Sequence, residues 1–355
     1  MATVGKQRVH HFDMLKGVAM FMVVMGHVLA FCVREIDRAT IFKVLEQVHM
    51  PLFFFVSGWF TYKVDADGRL VLPRLASRAV RLLLPMVAVS SLWVWYFPHS
   101  GVETPFASTF EELWTSAYKN GYWFTLVLFE IVLLYGALRP LLNRCRQWWA
   151  SAAMIAAAMA VLYWANGHSG TVGDVLSLGM VTAFAPAFFV GLLARRHRHG
   201  FERLADSSTA QTVAILVAAV SIYAACWPWE FGLTDTQRMM VQTIGHPFLA
   251  LVAYRLFRDW STAAFADDAS PLSRGIARLW EYIGTQSLGI YLLHYFFLFP
   301  MGSVVRGWME AMNVAWVPLG AFAALMAACI VAMVLIVIKI IKPSKLLSLL
   351  LTGNK

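Results

Sequence analysis

Charge is what this sequence has least of. Only 14% of its 355 residues are Asp, Glu, Lys or Arg, where a soluble domain carries about 25%. That supply cannot cover a water-soluble protein of this size, whereas 59% hydrophobic residues and a mean hydropathy of +0.63 suit a chain immersed in lipid. Cysteine is scarce too. Cys32, Cys145, Cys226 and Cys329 are too widely spaced for a metal site and too few for a disulfide scaffold. Cys32 and Cys226 are expected near outward helix ends, where an oxidising compartment would let them pair; packing as small buried residues is the plainer reading. The opening "MATVGKQRVHHFD" lacks the apolar stretch and small-residue cleavage site of a removable leader, so the first hydrophobic run is expected to remain as a spanning helix. An internal repeat of useful strength is also missing, which counts against the two-halves architecture of many secondary transporters.

What is present is a succession of apolar windows. Against the roughly 20 residues a helix needs to cross a bilayer, spans are expected near 14–33, 48–63, 79–97, 122–138, 148–164, 174–194, 210–227, 239–256, 281–300 and 314–341. The fold class is therefore all-α: a polytopic membrane helical bundle of about ten transmembrane helices, one integral-membrane domain over residues 1–355. With the N-terminus inside, 22 lysines and arginines fall on the inner side against six outside, so the positive-inside rule gives N-in/C-in. The formal charge of +9 is thus a topology signal spread over short loops, and no nucleic-acid partner is expected. The longest connector, 257–280, contains "STAAFADDASPLSRG" and reads as a polar cytoplasmic loop.

Ionisable groups inside such spans are costly and usually functional. The stretch "DMLKGVAMFMVVMGH", residues 13–27, holds Asp13, Lys16 and His27. Eleven positions at about 100° each bring Lys16 and His27 to one helix face, roughly 16 Å apart along the axis. Asp13 pairs with Lys16 at i, i+3. His294 lies as far into its outward-running span as His27 does, so the two imidazoles are expected at one level. Each has a structural alternative, a hydrogen-bonded packing histidine, which is the plainer account of His246 beside Pro247. Glu130 is either a proton partner or an interhelical hydrogen bond.

Arg74, Arg78 and Arg81 in "RLASRAVRLLLP" share a face at 4+3 spacing. Forked guanidinium groups suit phosphate oxygens, and simple positive-inside anchoring is the alternative. Ser57 and Gly58 interrupt an aromatic segment where a narrow ligand or another backbone could approach. Ser287, Tyr291 and His294 again share a face and could line a polar channel.

Together "DMLKGVAMFMVVMGH", "MPLFFFVSGW", the pair Arg78 and Arg81 with Pro85 behind them, "YWFTLVLF" and "SLGIYLLH" resemble the membrane-bound acyltransferase-3 family in its stand-alone, sugar O-acetyltransferase-like form. The resemblance implies transfer of an acyl group, most readily acetyl, from acyl-CoA to a carbohydrate or glycolipid hydroxyl within a bacterial inner membrane, with acetyl-CoA or another acyl-CoA as donor and no metal. On that reading Lys16, Arg78 and Arg81 hold the donor's phosphates and His27 is the catalytic base. Asp13, Ser57, Glu130, Tyr291 and His294 are supporting candidates. A proton-coupled transporter using intramembrane His and Glu is the alternative function; a catalytically inactive scaffold or glycan-binding membrane protein is a third.

Overall fold

The computed structural model describes residues 9–32, 40–99, 109–145, 147–298 and 316–353. Among them the chain is helical, with one isolated β-bridge, Val64 to Leu70. The helices are α1 (His10–Cys32), α2 (Thr40–Thr61), α3 (Leu75–His99), α4 (Phe110–Thr115), α5 (Trp123–Arg144), α6 (Trp148–Gly167), α7 (Gly170–Val175), α8 (Leu178–Arg196), α9 (Arg198–Asp206), α10 (Ser208–Cys226), α11 (Asp235–Ala264), α12 (Pro271–Thr285) and α13 (Ser287–Leu293). A 3-10 turn, His294–Phe297, follows α13; α14 (Trp316–Ile341) and α15 (Lys345–Thr352) close the chain. Seven described helices are long and apolar enough to cross a bilayer: α1, α3, α5, α6, α8, α10 and α14.

The other three expected spans take different forms. Residues 48–63 lie mostly in α2, whose first half carries Lys43 and Glu46. Residues 239–256 lie within α11, 30 residues long with charged side chains toward both ends. Residues 281–300 are not one helix. The chain breaks at Gln286, whose amide is shared between the Tyr282 and Ile283 carbonyls at 3.3 and 3.1 Å, and α13 begins with the next residue. The stretch 257–280, read as a loop, is largely helical. Residues 265–270 alone separate α11 from α12, because Ser270 caps α12 through the Ser273 amide and Pro271 occupies its first turn. Cys226 is buried and free; the Cys32 side chain lies outside the described residues.

Two close crossings set the helix arrangement. A Cβ on Gly17 would lie 2.0 Å from the Trp280 carbonyl oxygen, and one on Gly284 would lie 1.8 Å from that of Asp13. α1 and α12 therefore touch backbone to backbone. Gly58 and Gly191 do the same for α2 and α8, with 1.8 Å to the Phe188 oxygen and 1.9 Å to that of Phe55. Lipid offers no hydrophobic drive for helix association, so such small-residue contact, with its dense van der Waals packing, carries it. Gly284→Val should cost about 2 kcal/mol or more, seen as a lower thermal unfolding midpoint in detergent. Gly275→Ala on the same helix, where a Cβ meets nothing within 4 Å, should leave that midpoint unchanged or raise it.

Candidate active site

The α1–α12 crossing carries α13 and its 3-10 turn up alongside the far end of α1. His27 meets His294 there, Nδ1 to Nε2 at 2.8 Å, with the rings 18° apart in plane. The expectation of equal depth is thus met by direct contact. The His294 Nδ1 lies 3.0 Å from the Ile290 carbonyl, and a carbonyl only accepts, so this nitrogen carries the proton. In a neutral pair, His294 Nε2 is then the acceptor and His27 Nδ1–H the donor. That leaves the His27 Nε2 lone pair free to accept, and the Tyr295 hydroxyl donates to it at 3.0 Å. His294 is fully buried, while the His27 ring is partly open.

Tyr291 anchors the opposite wall. Its hydroxyl donates to the Gly121 carbonyl at 2.5 Å and accepts from the Phe124 amide at 3.0 Å. Gly121, at φ +89, lies so near Tyr295 that an added Cβ would fall 1.7 Å from the hydroxyl. His27, Tyr291 and Tyr295 together face a chamber of about 660 Å³. Gln47, Gln242, Trp123 and His246 also line it. Gln242 Nε2 donates to Gln47 Oε1 at 2.8 Å, and Trp123 stacks on Phe184 with centroids 5.2 Å apart. His246 is only 7% exposed, and its Nδ1 has no hydrogen-bond partner among the described residues. A buried, unpaired imidazole nitrogen beside a chamber is more than packing requires.

A second cavity, of about 1090 Å³, opens at the other end of α1 and shares no lining residue with the first. Arg74, Arg78 and Arg81 line it, joined by Lys63, Arg195 and Arg198. Arg78 donates to Thr61 Oγ1 at 3.0 Å, and the Arg195 guanidinium lies over the Trp59 ring at 5.4 Å. Trp59 and Tyr254 supply aromatic wall beside the cations. Phe12 lines this cavity and His27 the other, so at about 1.5 Å per residue the two sites lie roughly 22 Å apart along α1.

The remaining sequence candidates are scattered. Lys16 is ion-paired to Asp13 at 2.7 Å and lines neither cavity. Ser57 lines neither; its carbonyl accepts from Thr61 Oγ1 at 2.7 Å. Glu130 also lines neither, and its Oε2 is buried without a hydrogen-bond partner among the described residues. Sequence reasoning missed Tyr295, although it follows His294 directly, because a one-residue step turns a regular helix by about 100°. Both side chains nonetheless reach His27, His294 at its Nδ1 and Tyr295 at its Nε2. Arg195 and Arg198 were counted as topology markers, and only folding brings them opposite Arg78.

A family model described as an acyltransferase domain matches residues 9–338. The nodulation protein NolL of Mesorhizobium japonicum is 31% identical over 160 residues, which covers 42% of this chain and 40% of that protein. The nodulation protein NolL of Sinorhizobium fredii is 29% identical over 164 residues, covering 42% and 41%. The chain thus spans about two fifths of the length of these curated relatives. No solved structure matches. Nitrogen-15 NMR of the protein in bilayers should find His27 and His294 both neutral and both protonated at Nδ1; a cationic ring, or a proton on Nε2 of either, would contradict the hydrogen-bond assignment.

Proposed function

Since the chain belongs to the acyltransferase-3 family and has seven described helices long and apolar enough to cross a bilayer, we propose that it is an integral-membrane acyltransferase that moves an acyl group, acetyl foremost, from acyl-CoA to a carbohydrate hydroxyl. The observation that carries this reading is the His294–His27–Tyr295 chain, which leaves one basic nitrogen, His27 Nε2, beside a chamber with amide and aromatic walls. An acceptor hydroxyl entering there displaces the Tyr295 hydroxyl and gives its proton to Nε2 as its oxygen attacks the thioester carbon. The tetrahedral intermediate expels the coenzyme A thiolate, and the imidazolium returns the proton to that sulfur. His294, accepting from Nδ1–H, holds the ring in register and stabilises the imidazolium; the Tyr295 hydroxyl, once displaced, is a donor within reach of the developing oxyanion.

The arginine cavity suits the donor. Coenzyme A is a polyanion, and guanidinium pairs bind phosphate oxygens with matched geometry. Arg78 and Arg81 take the phosphates, with Arg195 and Arg198 facing them across the cavity. On this reading that end faces the cytoplasm of a bacterial inner membrane, as the basic-residue distribution favours, and the pantetheine arm runs along α1 toward His27. Lys16, held by Asp13, acts beside that path rather than in the phosphate site. The acceptor, a surface polysaccharide or lipid-linked glycan, enters the opposite chamber.

Thiol release from acetyl-CoA by the protein in lipid nanodiscs, measured with and without a panel of glycans, tests the proposal. Glycan-dependent release is expected; solute flux without thiol release would favour a transporter instead. His27→Ala should lower turnover by at least about 10²-fold with folding intact, and substantial residual turnover would reject the base assignment. Arg78→Ala with Arg81→Ala should raise the donor KM by roughly 10-fold or more while the acceptor KM holds. A changed acceptor KM at constant donor KM would count against phosphate docking.

A further inference from the structure

Lys119 sits between α4 and α5 and is fully buried. Lysine is almost never found so buried unless paired, yet among the described residues no carboxylate lies within ion-pair distance of it. Three carbonyls satisfy its ammonium instead: Nζ donates to Trp114 at 2.9 Å, Ser116 at 2.6 Å and Asp174 at 2.8 Å. Those acceptors come from two segments far apart in sequence. Next to them Ser177 Oγ, also buried, donates to the Ala117 carbonyl at 2.7 Å. The cation and the hydroxyl thus fasten the α7–α8 junction onto the segment 114–121. Burial lowers the ammonium pKa, with the charges of Glu130 and Asp174 acting in the opposite direction.

The clamped segment is strained. Lys119, Asn120 and Gly121 have φ of +47°, +52° and +89°, and two of these three successive left-handed residues are not glycine. Such conformations persist only where surrounding contacts over-determine them. The turn ends at Gly121, whose carbonyl holds Tyr291 and whose missing side chain admits Tyr295 against His27.

We propose that Lys119 is a positioning residue: its ammonium locks the left-handed turn that places Tyr291 and Tyr295, and through them fixes the free nitrogen of His27. Its effect on turnover rests on the acyl-transfer reading, while its effect on the His27 ring does not. Three carbonyl dipoles around one cation define a point in space, and an unbranched apolar side chain one atom shorter leaves them unsatisfied, so the turn relaxes. The hydroxyl of Tyr295 then moves off Nε2. A displacement of about 1 Å at a reacting group costs on the order of 10²-fold in rate.

The test uses the full-length protein in bilayers, with Lys119→Met read by nitrogen-15 NMR at His27 and by thiol release from acetyl-CoA with the glycan that best supports it. The expected result is a shifted His27 Nε2 resonance and a kcat lowered on the order of 10²-fold, with donor KM unchanged because the arginine cavity is remote. A purely structural role would reduce the amount of folded protein and leave both quantities per folded molecule untouched. An unshifted resonance, or kcat at the level of an active wild type, overturns the proposal. If Lys119→Met does not accumulate, Tyr291→Phe cuts the same turn from α13 without touching the cation; it must shift the resonance, and an unchanged one overturns the proposal equally. A wild type that releases no thiol counts against the acyl-transfer reading alone, and the resonance still decides the role of Lys119.

Discussion

Everything at the reactive end of this protein depends on α1 and α12 touching through their backbones. Gly17 and Gly284 each lie against a carbonyl of the other helix, so the axes approach as closely as two helices can. In hydrocarbon that approach gains dispersion contacts that larger side chains would forbid. It also fixes register. With Gly17 against Trp280 and Gly284 against Asp13, the only short continuation of α12 is one that climbs α1 toward His27. The break at Gln286 and the 3-10 turn then convert a parallel run of helix into a side-by-side meeting of two imidazoles.

The two cavities divide the electrostatic work. One gathers guanidinium groups from α3, α8 and α9 where like charges repel unless an anion lies among them. The other sets amides, aromatics and imidazoles beside one guanidinium, Arg238, and two carboxylates, Glu46 and Asp235. Between them lies a packed apolar layer that includes Leu15, Ala19, Phe54 and Phe55, all fully or almost fully buried. Cations of one sign at one end suit an anionic molecule, and mixed charges with amides and aromatics at the other suit a polar one.

The sequence carried the class of fold and the first elements of the site with surprising economy, for reasons that can be located. Equal depth put His27 level with His294, a deduction that needs only the rise per residue, whereas the periodicity that put Lys16 on the face of His27 did not bring it into either cavity. The arginine pattern 74, 78, 81 was equally local. The partners that periodicity cannot reach are those set by departures from regular helix. Tyr295 depends on a 3-10 turn, Gly121 on positive φ, and Lys119 on carbonyls supplied by a distant segment. The ninth expected span is of the same kind: its hydropathy is continuous, but its described residues are divided at Gln286 into the end of α12, α13 and a 3-10 turn. Charge counting put Arg195 and Arg198 on the same side as Arg78 without revealing that they line one cavity with it.

The Tyr295 hydroxyl on His27 Nε2 means that this nitrogen is already occupied. Any incoming alcohol trades places with a phenol rather than filling a vacancy, one hydrogen bond exchanged for another of similar strength. Entry is therefore close to thermoneutral for a molecule that presents a hydroxyl at that point, and unfavourable for one that does not, since a buried nitrogen would be left bare. On the proposed acyl-transfer reading, selection for an alcohol thus begins before any bond to carbon is made.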